Sequence, residues 1–587
     1  MPSDRPAPGR SPALLSPALE GGALVALLAG IAYLFATQPT GRHWSQGYNP
    51  TGFWQISTLI AALPIVVLLG AMAVLRLKAH VAAVAGLTAA LLAAIAIFHM
   101  PARLAFTAAA YGAGYGLFPV CWIILPVIFL YDLTVQTGRF VTLQQSLTGI
   151  TADSRLQLLL IAFALGAFFE GTSGFGTPVA VCSAILISLG FPALEAAGFS
   201  LLANTAPVAF GAIGIPIVAL HGVTGLDLHV LSRTTAIILA PFDLLVPFWL
   251  VWAFGGFAAM IEIWPAVLLA GFTFASVQLT LAYWSGPWLV DIVAAASTIA
   301  VLVAFLRFWR PRRTLNVRRE DITGQARQGH GHAASTIFHA WLPWIIISVV
   351  VFAWGLPRIS ALLDAHTTIR IPVAGLDGAI FRMPPVVAAP VHEPAVFNLN
   401  WLSATGTGIF FAALLAGLLM GIGPAALVRG FFSTVYKVRY TLVTIAAMMA
   451  LGFVTRYCGL DATLGLAFAR TGLLYPFFGT LIGWLGTAST GSDTSSNVLF
   501  GSLQTMTARQ IGVSPTLMAT ANGAGGVMGK MISASSVVVA STSAQTYGQE
   551  GSILRFVFFH SLAFAALTGV YVSLLAYVPL LARLIAH

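Results

Sequence analysis

Two polar, glycine-bearing clusters interrupt long apolar stretches of this chain: GTSGFGT at 171–177 and STGSDTSSN at 489–497. The second holds one carboxylate, Asp493, among Thr490, Ser492, Thr494, Ser495, Ser496 and Asn497. At mid-bilayer a lone charge costs about 2.5–3.5 kcal/mol on insertion scales, so this carboxyl must be paired or protonated. Lys530 is the nearest cation in the same part of the chain, placed either to pair with Asp493 or to receive an anionic substrate. A carboxyl whose hold on a proton depends on burial and on a neighbouring lysine can bind and release that proton as its partner changes, which is what coupling protons to an anion requires. The alternative is a static ion pair that only holds the cluster in shape. Glu170, just before the first cluster, is a second proton candidate, weighed against a cap on the N–H groups of the next helix half. Asp132, Asp243, Glu262 and Asp291 lie near the ends of apolar segments, where reaching the interface is cheap, and structural roles are expected of them.

The elements that hold these residues must be membrane helices. Of 587 residues, 58% are hydrophobic and 8% charged, against about 25% charged in a soluble domain. That is too little polar surface for water-soluble domains, and a soluble enzyme is excluded. Lys plus Arg exceed Asp plus Glu by 28 to 18, but they scatter over the loops between apolar runs, where they set topology and do not form a nucleic-acid surface. Cys121, Cys182 and Cys458 lie far apart, with no metal-ligand or disulfide spacing. His330 and His332 sit in a basic loop without further ligand-like neighbours. GGVMGKMIS at 525–533 departs from a phosphate-binding loop at Ala524 and Met531, so neither nucleotide nor any other cofactor is expected.

Apolar runs of about 20 residues occur near 21–37, 56–76, 81–98, 111–131, 195–220, 233–255, 262–282, 288–309, 339–356, 403–422, 438–456, 515–545 and 554–584, thirteen candidate spans. No A-x-A-like cleavage site follows Phe35, so the first is read as an uncleaved span. Two further stretches, 156–190 and 472–508, are cut by the polar clusters into arms of about 15 residues, about 22 Å each and short of a hydrocarbon core of about 30 Å. They are expected to enter the membrane and return as hairpins. With both as hairpins, Arg76/Lys78, the arginines from Arg307 to Arg327, and Arg429/Lys437/Arg439 share one side, with the amino terminus cytoplasmic and the carboxyl terminus periplasmic.

The two halves resemble each other. Thr172-Ser173-Gly174 matches Ser489-Thr490-Gly491 and Thr177 matches Thr494, at an offset of 317. Asn204 and Asn522 follow, each with a glycine seven residues on, Gly211 and Gly529. Seven crossings separate the hairpins, so the second enters from the opposite side: an inverted-topology repeat, with 44–255 as the first copy, 256–336 as connecting helices and a basic loop, and 337–587 as the second. Such repeats place substrate near the midplane, between broken helices. The breaks are expected at both tips and at 204–216 and 521–530. Close helix contacts through small residues are the alternative, and fit 211–214 best. The fold class is an all-α polytopic membrane protein, with about thirteen transmembrane helices plus two re-entrant hairpins.

EGTSGFGTPVAV (170–181), NTAPVAFGAIGIPI (204–217), MPPVV (383–387), SATGT (403–407), GWLGTASTGSDTSSN (483–497) and GKMIS (529–533) closely resemble the bacterial L-lactate permease family, from about Trp44 to about Tyr577. Residues 1–43 look like an addition. The resemblance implies a plasma-membrane symporter of protons with lactate, glycolate and related 2-hydroxymonocarboxylates and, more distantly, an ion-transporter-superfamily fold whose transport domain slides against a scaffold. The substrate carboxylate is then expected at the tips (Thr172, Ser173, Gly174, Thr490, Gly491, Ser492), with Asn204, Thr205 and Asn522 nearby and Lys530 supplying positive charge. Asp493 is the first choice for the coupling proton and Glu170 the second. Expected partners are the bilayer, a small monocarboxylate and a proton, with self-association left open and no metal. A small-anion channel would conduct without accumulating. A sodium-coupled carboxylate carrier would want more fixed positive charge than Lys530, and a membrane-embedded enzyme a catalytic constellation at depth.

Overall fold

The computed structural model describes residues 43–585 except 74, 76, 149, 173–175, 317–332, 356, 388, 545, 547 and 548. The span expected at 21–37, the HGH at 330–332 and the tip residues Ser173 and Gly174 lie outside the described residues. From the amino-terminal side, β1 (Trp44–Ser45) leads into α1 (Trp54–Ala73), α2 (Ala79–Leu92), α3 (Ala102–Gln136) and α4 (Arg139–Thr148). The first interrupted stretch forms a unit of α5 (Ser154–Thr172) with α6 (Thr177–Ser188), and α7 (Ala193–Ala203) and α8 (Gly211–Thr224) follow. Next come α9 (Leu228–Glu262), α10 (Trp264–Trp284), α11 (Val290–Phe308), α12 (Ala334–Gly355) and α13 (Pro357–Thr367). After the strands, α14 (Thr405–Leu419), α15 (Pro424–Cys458) and α16 (Leu460–Phe468) lead to a second unit of α17 (Tyr475–Thr490) with α18 (Asp493–Ile511), then α19 (Pro515–Lys530), α20 (Ala534–Ser543) and α21 (Glu550–Tyr577).

Among the described residues ten helices are long and apolar enough to cross a membrane, or eleven if α7 and α8, bent by 64° across their break, count as one span. The expected runs at 56–76, 339–356 and 403–422 fall on shorter apolar helices. The arms of the first unit are also less even than expected. At 19 residues, α5 reaches about 28 Å, close to a full crossing. It is apolar on every side and wholly buried. Its base is fixed by Arg155, fully buried and paired with Asp153 and Glu262, both at 2.7 Å, and by the Arg313 carbonyl at 2.7 Å. A buried guanidinium needs such partners, and they place the base of α5 on the face where α9 ends and the basic loop begins.

Helices alone do not complete the fold. Five short strands depart from the all-α expectation. β2 (Thr368–Pro372) pairs antiparallel with β5 (Val396–Asn400), and β3 (Ile380–Arg382) lies between β1 and β4 (Val391–His392). They cap the end of α15, where the buried Glu393 pairs with Arg382 and Arg456, and Tyr457 donates to the Pro394 carbonyl at 2.7 Å.

The breaks are also redistributed. In 204–216 the chain leaves α7, turns, and enters α8 through a left-handed stretch at Ala212 (φ 44°), Ile213 (φ 57°) and Gly214 (φ 75°). A β-branched residue there is strained, and such strain concentrates at functional sites. In 521–530, by contrast, α19 is continuous to Lys530, and the interruption comes at 531–533. Its glycines are close helix contacts: a Cβ on Gly525 or Gly529 would stand 2.0 or 2.1 Å from the Thr480 or Trp484 carbonyl oxygen of α17. Close contact through small residues therefore accounts for the second segment, and in the first it accompanies the break, since a Cβ on Gly214 would stand 2.6 Å from the Pro287 carbonyl oxygen.

Several charged side chains differ from their expected settings. Asp243 lies inside α9, fully buried against the Gln278 amide, and Asp291 is buried in the first turn of α11. Neither reaches an interface. Asp132, in contrast, is partly exposed and pairs with Lys437 at 2.7 Å.

Candidate functional site

The breaks α5–α6 and α17–α18 meet at one place. In the second, α17 stops at Gly491 (φ 76°), Ser492 is extended, and its hydroxyl accepts from the Ser495 N–H at 3.3 Å to cap α18. In the first, Gly176 (φ 84°) precedes α6, whose first turn carries Pro178. Gly176, Glu170 and the α8 residues Gly211, Ala212, Ile215 and Pro216 line one cavity of about 200 Å³ together with Gly491, Ser492, Asp493, Thr494, Lys530, Ser535 and Ser536. The volume equals about seven water molecules at about 30 Å³ each and is smaller than the 300–1,000 Å³ typical of larger ligands. It suits a small organic anion.

Three charged groups face it. Lys530 donates to the Gly491 carbonyl at 2.6 Å. Among the described residues it makes no salt bridge, yet Glu170 and Asp493 both act on its charge. The direct Asp493–Lys530 pair is therefore not formed, and the ammonium shares the cavity lining with two carboxyls. Asp493 opens α18, where a helix N-terminus favours negative charge. It accepts from Thr487 Oγ1 at 3.3 Å and Asn497 Nδ2 at 3.4 Å. Glu170 accepts from Asn204 Nδ2 at 3.1 Å. Asn497 is held in turn by Asn522 Nδ2 at 3.0 Å, and its own Nδ2 reaches the Pro216 carbonyl at 3.2 Å, tying α18 to α8.

Of the residues singled out by sequence, Glu170, Gly491, Ser492, Asp493 and Lys530 line the cavity. Thr172, Asn204, Thr205, Thr490 and Asn522 are buried outside its lining. Thr172 donates to the Phe169 carbonyl and Thr490 to the Gly486 carbonyl, so their hydroxyls shape the tips. Sequence reasoning missed Asn497 as a bridge, the serines Ser535 and Ser536, and Gly526. The serines follow directly on GKMIS, and that run of hydroxyls inside an apolar segment was the available signal.

Gly526 makes the Asp493 position possible: a Cβ there would lie 2.0 Å from Asp493 Oδ1 and 2.6 Å from Thr487 Oγ1. Gly526→Ala is expected to cost about 1–3 kcal/mol of stability, as overpacking does, and to displace Asp493. A lowered unfolding temperature in detergent together with lost transport is the expected result.

Comparison with known proteins places the chain in a family. The family model for L-lactate permease matches residues 57–579. The chain is 42% identical to the glycolate permease GlcA of Escherichia coli K12 and 41% identical to the L-lactate permease of the same organism, covering in each case 91% of this chain and 98% of the relative. It is 38% identical to the L-lactate permease of Bacillus subtilis, over 88% of this chain and 96% of that protein. The chain belongs to the L-lactate permease family of multi-pass membrane transporters.

Proposed function

We propose that the protein imports L-lactate and related 2-hydroxymonocarboxylates, D-lactate and glycolate among them, by proton symport across the bacterial plasma membrane. One observation carries this reading: a single ammonium and two carboxyls face one small cavity. With all three ionised the cavity holds one net negative charge, and a lactate anion beside Lys530 would make it two. Buried charges interact strongly in a low-dielectric site. Protonating one carboxyl removes that repulsion and frees Lys530 for the substrate carboxylate, so proton and anion each favour the other's binding, as linkage requires. Serine hydroxyls and the N-terminal N–H groups of α18 supply the remaining anion contacts. A hydroxyl of the substrate bonded by Ser492, Ser535 or Ser536 would discriminate against analogues lacking it.

The hairpin units and the α7–α8 and α19–α20 pairs are assigned as opposed copies that move together, while α1–α3, α14 and α15 form the scaffold. One proton per monoanion is electroneutral, so each unit of pH gradient supplies about 1.4 kcal/mol, or about tenfold accumulation. Uptake of labelled lactate into proteoliposomes under imposed gradients tests this. Accumulation that tracks the pH gradient is expected. Accumulation that ignores pH and follows sodium would remove the proton, and downhill flux alone would mark a channel.

A further inference from the structure

A second, larger chamber lies along one of the helices that line the cavity. The two share helix α8: Ile215 and Pro216 face the cavity, while Val218 and His221 face a volume of about 1040 Å³ that extends to the strand cap. Pro216 and His221 are five residues apart, about 7.5 Å along a helix. The chamber wall includes Arg370 of β2, Asn398 and Asn400 of β5, His229 at the start of α9, and Asp364 of α13.

The polar groups on this wall suit an organic anion. Arg370 makes no salt bridge among the described residues. Asp364, the one acidic side chain on the described wall, accepts from the hydroxyls of both Thr368 and Ser403 through Oδ1. The carbonyl end of α8 would repel an anion, but it is covered: the Val223 carbonyl accepts from Arg456 Nη1 at 3.0 Å and from Ser502 Oγ at 2.9 Å. The wall therefore offers one free guanidinium for a carboxylate, and amide and carboxylate oxygens for a hydroxyl hydrogen, beside Trp288 and Trp354.

We propose that this chamber is a second, weaker binding site for a hydroxymonocarboxylate anion, an antechamber in which Arg370 receives the carboxylate before the anion reaches the cavity at Lys530. The identity of the anion rests on the reading under Proposed function. The positive site itself does not.

The test therefore has two arms. Asn398 lies directly across the strand pair from Arg370, with Cβ atoms about 4.5–5.5 Å apart in such pairs, and the native Cys121, Cys182 and Cys458 are buried. Asn398→Cys is reacted with anionic and with neutral thiosulfonate reagents, with and without Arg370→Gln. Removing one charge at this range in a wet site should slow the anionic reagent about threefold at low salt, leave the neutral reagent unchanged, and lose its effect at high salt. Equal anionic rates in the two backgrounds would overturn the site, whether or not lactate is the substrate. In the second arm, Arg370→Gln should raise the KM for uptake about threefold at low salt with kcat unchanged. A KM unchanged at low salt would overturn the antechamber role. Absence of lactate uptake by the unsubstituted protein would instead refute the function proposed above, with the thiol arm still deciding the site.

Discussion

Asp493→Asn is expected to yield a protein that exchanges lactate across a membrane but no longer concentrates it. The substitution keeps the size of the side chain and the geometry against Gly526, where no Cβ could fit. An amide can still meet the Thr487 hydroxyl and the Asn497 amide that hold the carboxyl now. Only the ability to lose a proton is gone. Counterflow of labelled against unlabelled lactate should stay within about threefold of the unsubstituted rate, whereas accumulation per unit of pH gradient should fall from about tenfold to near unity. If Asp493→Asn still accumulates lactate, the coupling proton belongs to Glu170, and Glu170→Gln should show the same separation of exchange from accumulation.

The second large effect is expected at Lys530. Its ammonium bonds the Gly491 carbonyl and lines the cavity with Glu170 and Asp493, so Lys530→Gln removes the counter-charge of both carboxyls together with the anion's main attraction. Hydrogen bonds to charged groups are worth about 1.5–3 kcal/mol, which corresponds to about 10–150-fold in kcat/KM. Arginine should not restore function, because its planar, branched head cannot reproduce a point charge aimed at one carbonyl. Direct binding measured by calorimetry should weaken in parallel with uptake. Lactate affinity within about threefold of the unsubstituted protein would place the anion elsewhere.

What the sequence disclosed follows from how strongly each feature breaks a rule of membrane chemistry. Asp493, Lys530, Glu170, Gly491 and Ser492 were legible because charge and turn-forming residues are expensive inside an apolar run. Asn204 and Asn522 were found through the likeness of the two halves, but the Asn204 amide holds the Glu170 carboxyl, the Asn522 amide holds Asn497, and neither residue lines the cavity. The break in the second half was misplaced because glycine has two uses that composition does not separate. At Gly525 and Gly529 it permits backbone contact within a continuous helix. At 212–214 three residues, two of them not glycine, adopt a left-handed turn that no propensity favours. The strands at 368–400 were overlooked because five residues of β2 against five of β5 make a weak pattern beside helices of 35 residues. The burial of Asp243 and Asp291 depends on neighbours distant in sequence, such as Gln278, and on the approach of Gly171, where a Cβ would lie 2.7 Å from that of Asp291.

The central claim is that residues from both halves of the chain enclose one anion site. Val208, beside the break in the first half, and Ser492, at the second tip, both line the cavity. Val208→Cys and Ser492→Cys, introduced singly, can be titrated with lactate against a thiol reagent in membranes. One shared site requires lactate to protect both thiols, with the same half-protecting concentration. Protection of one thiol without the other, or half-protecting concentrations that differ by more than about tenfold, would contradict a common cavity.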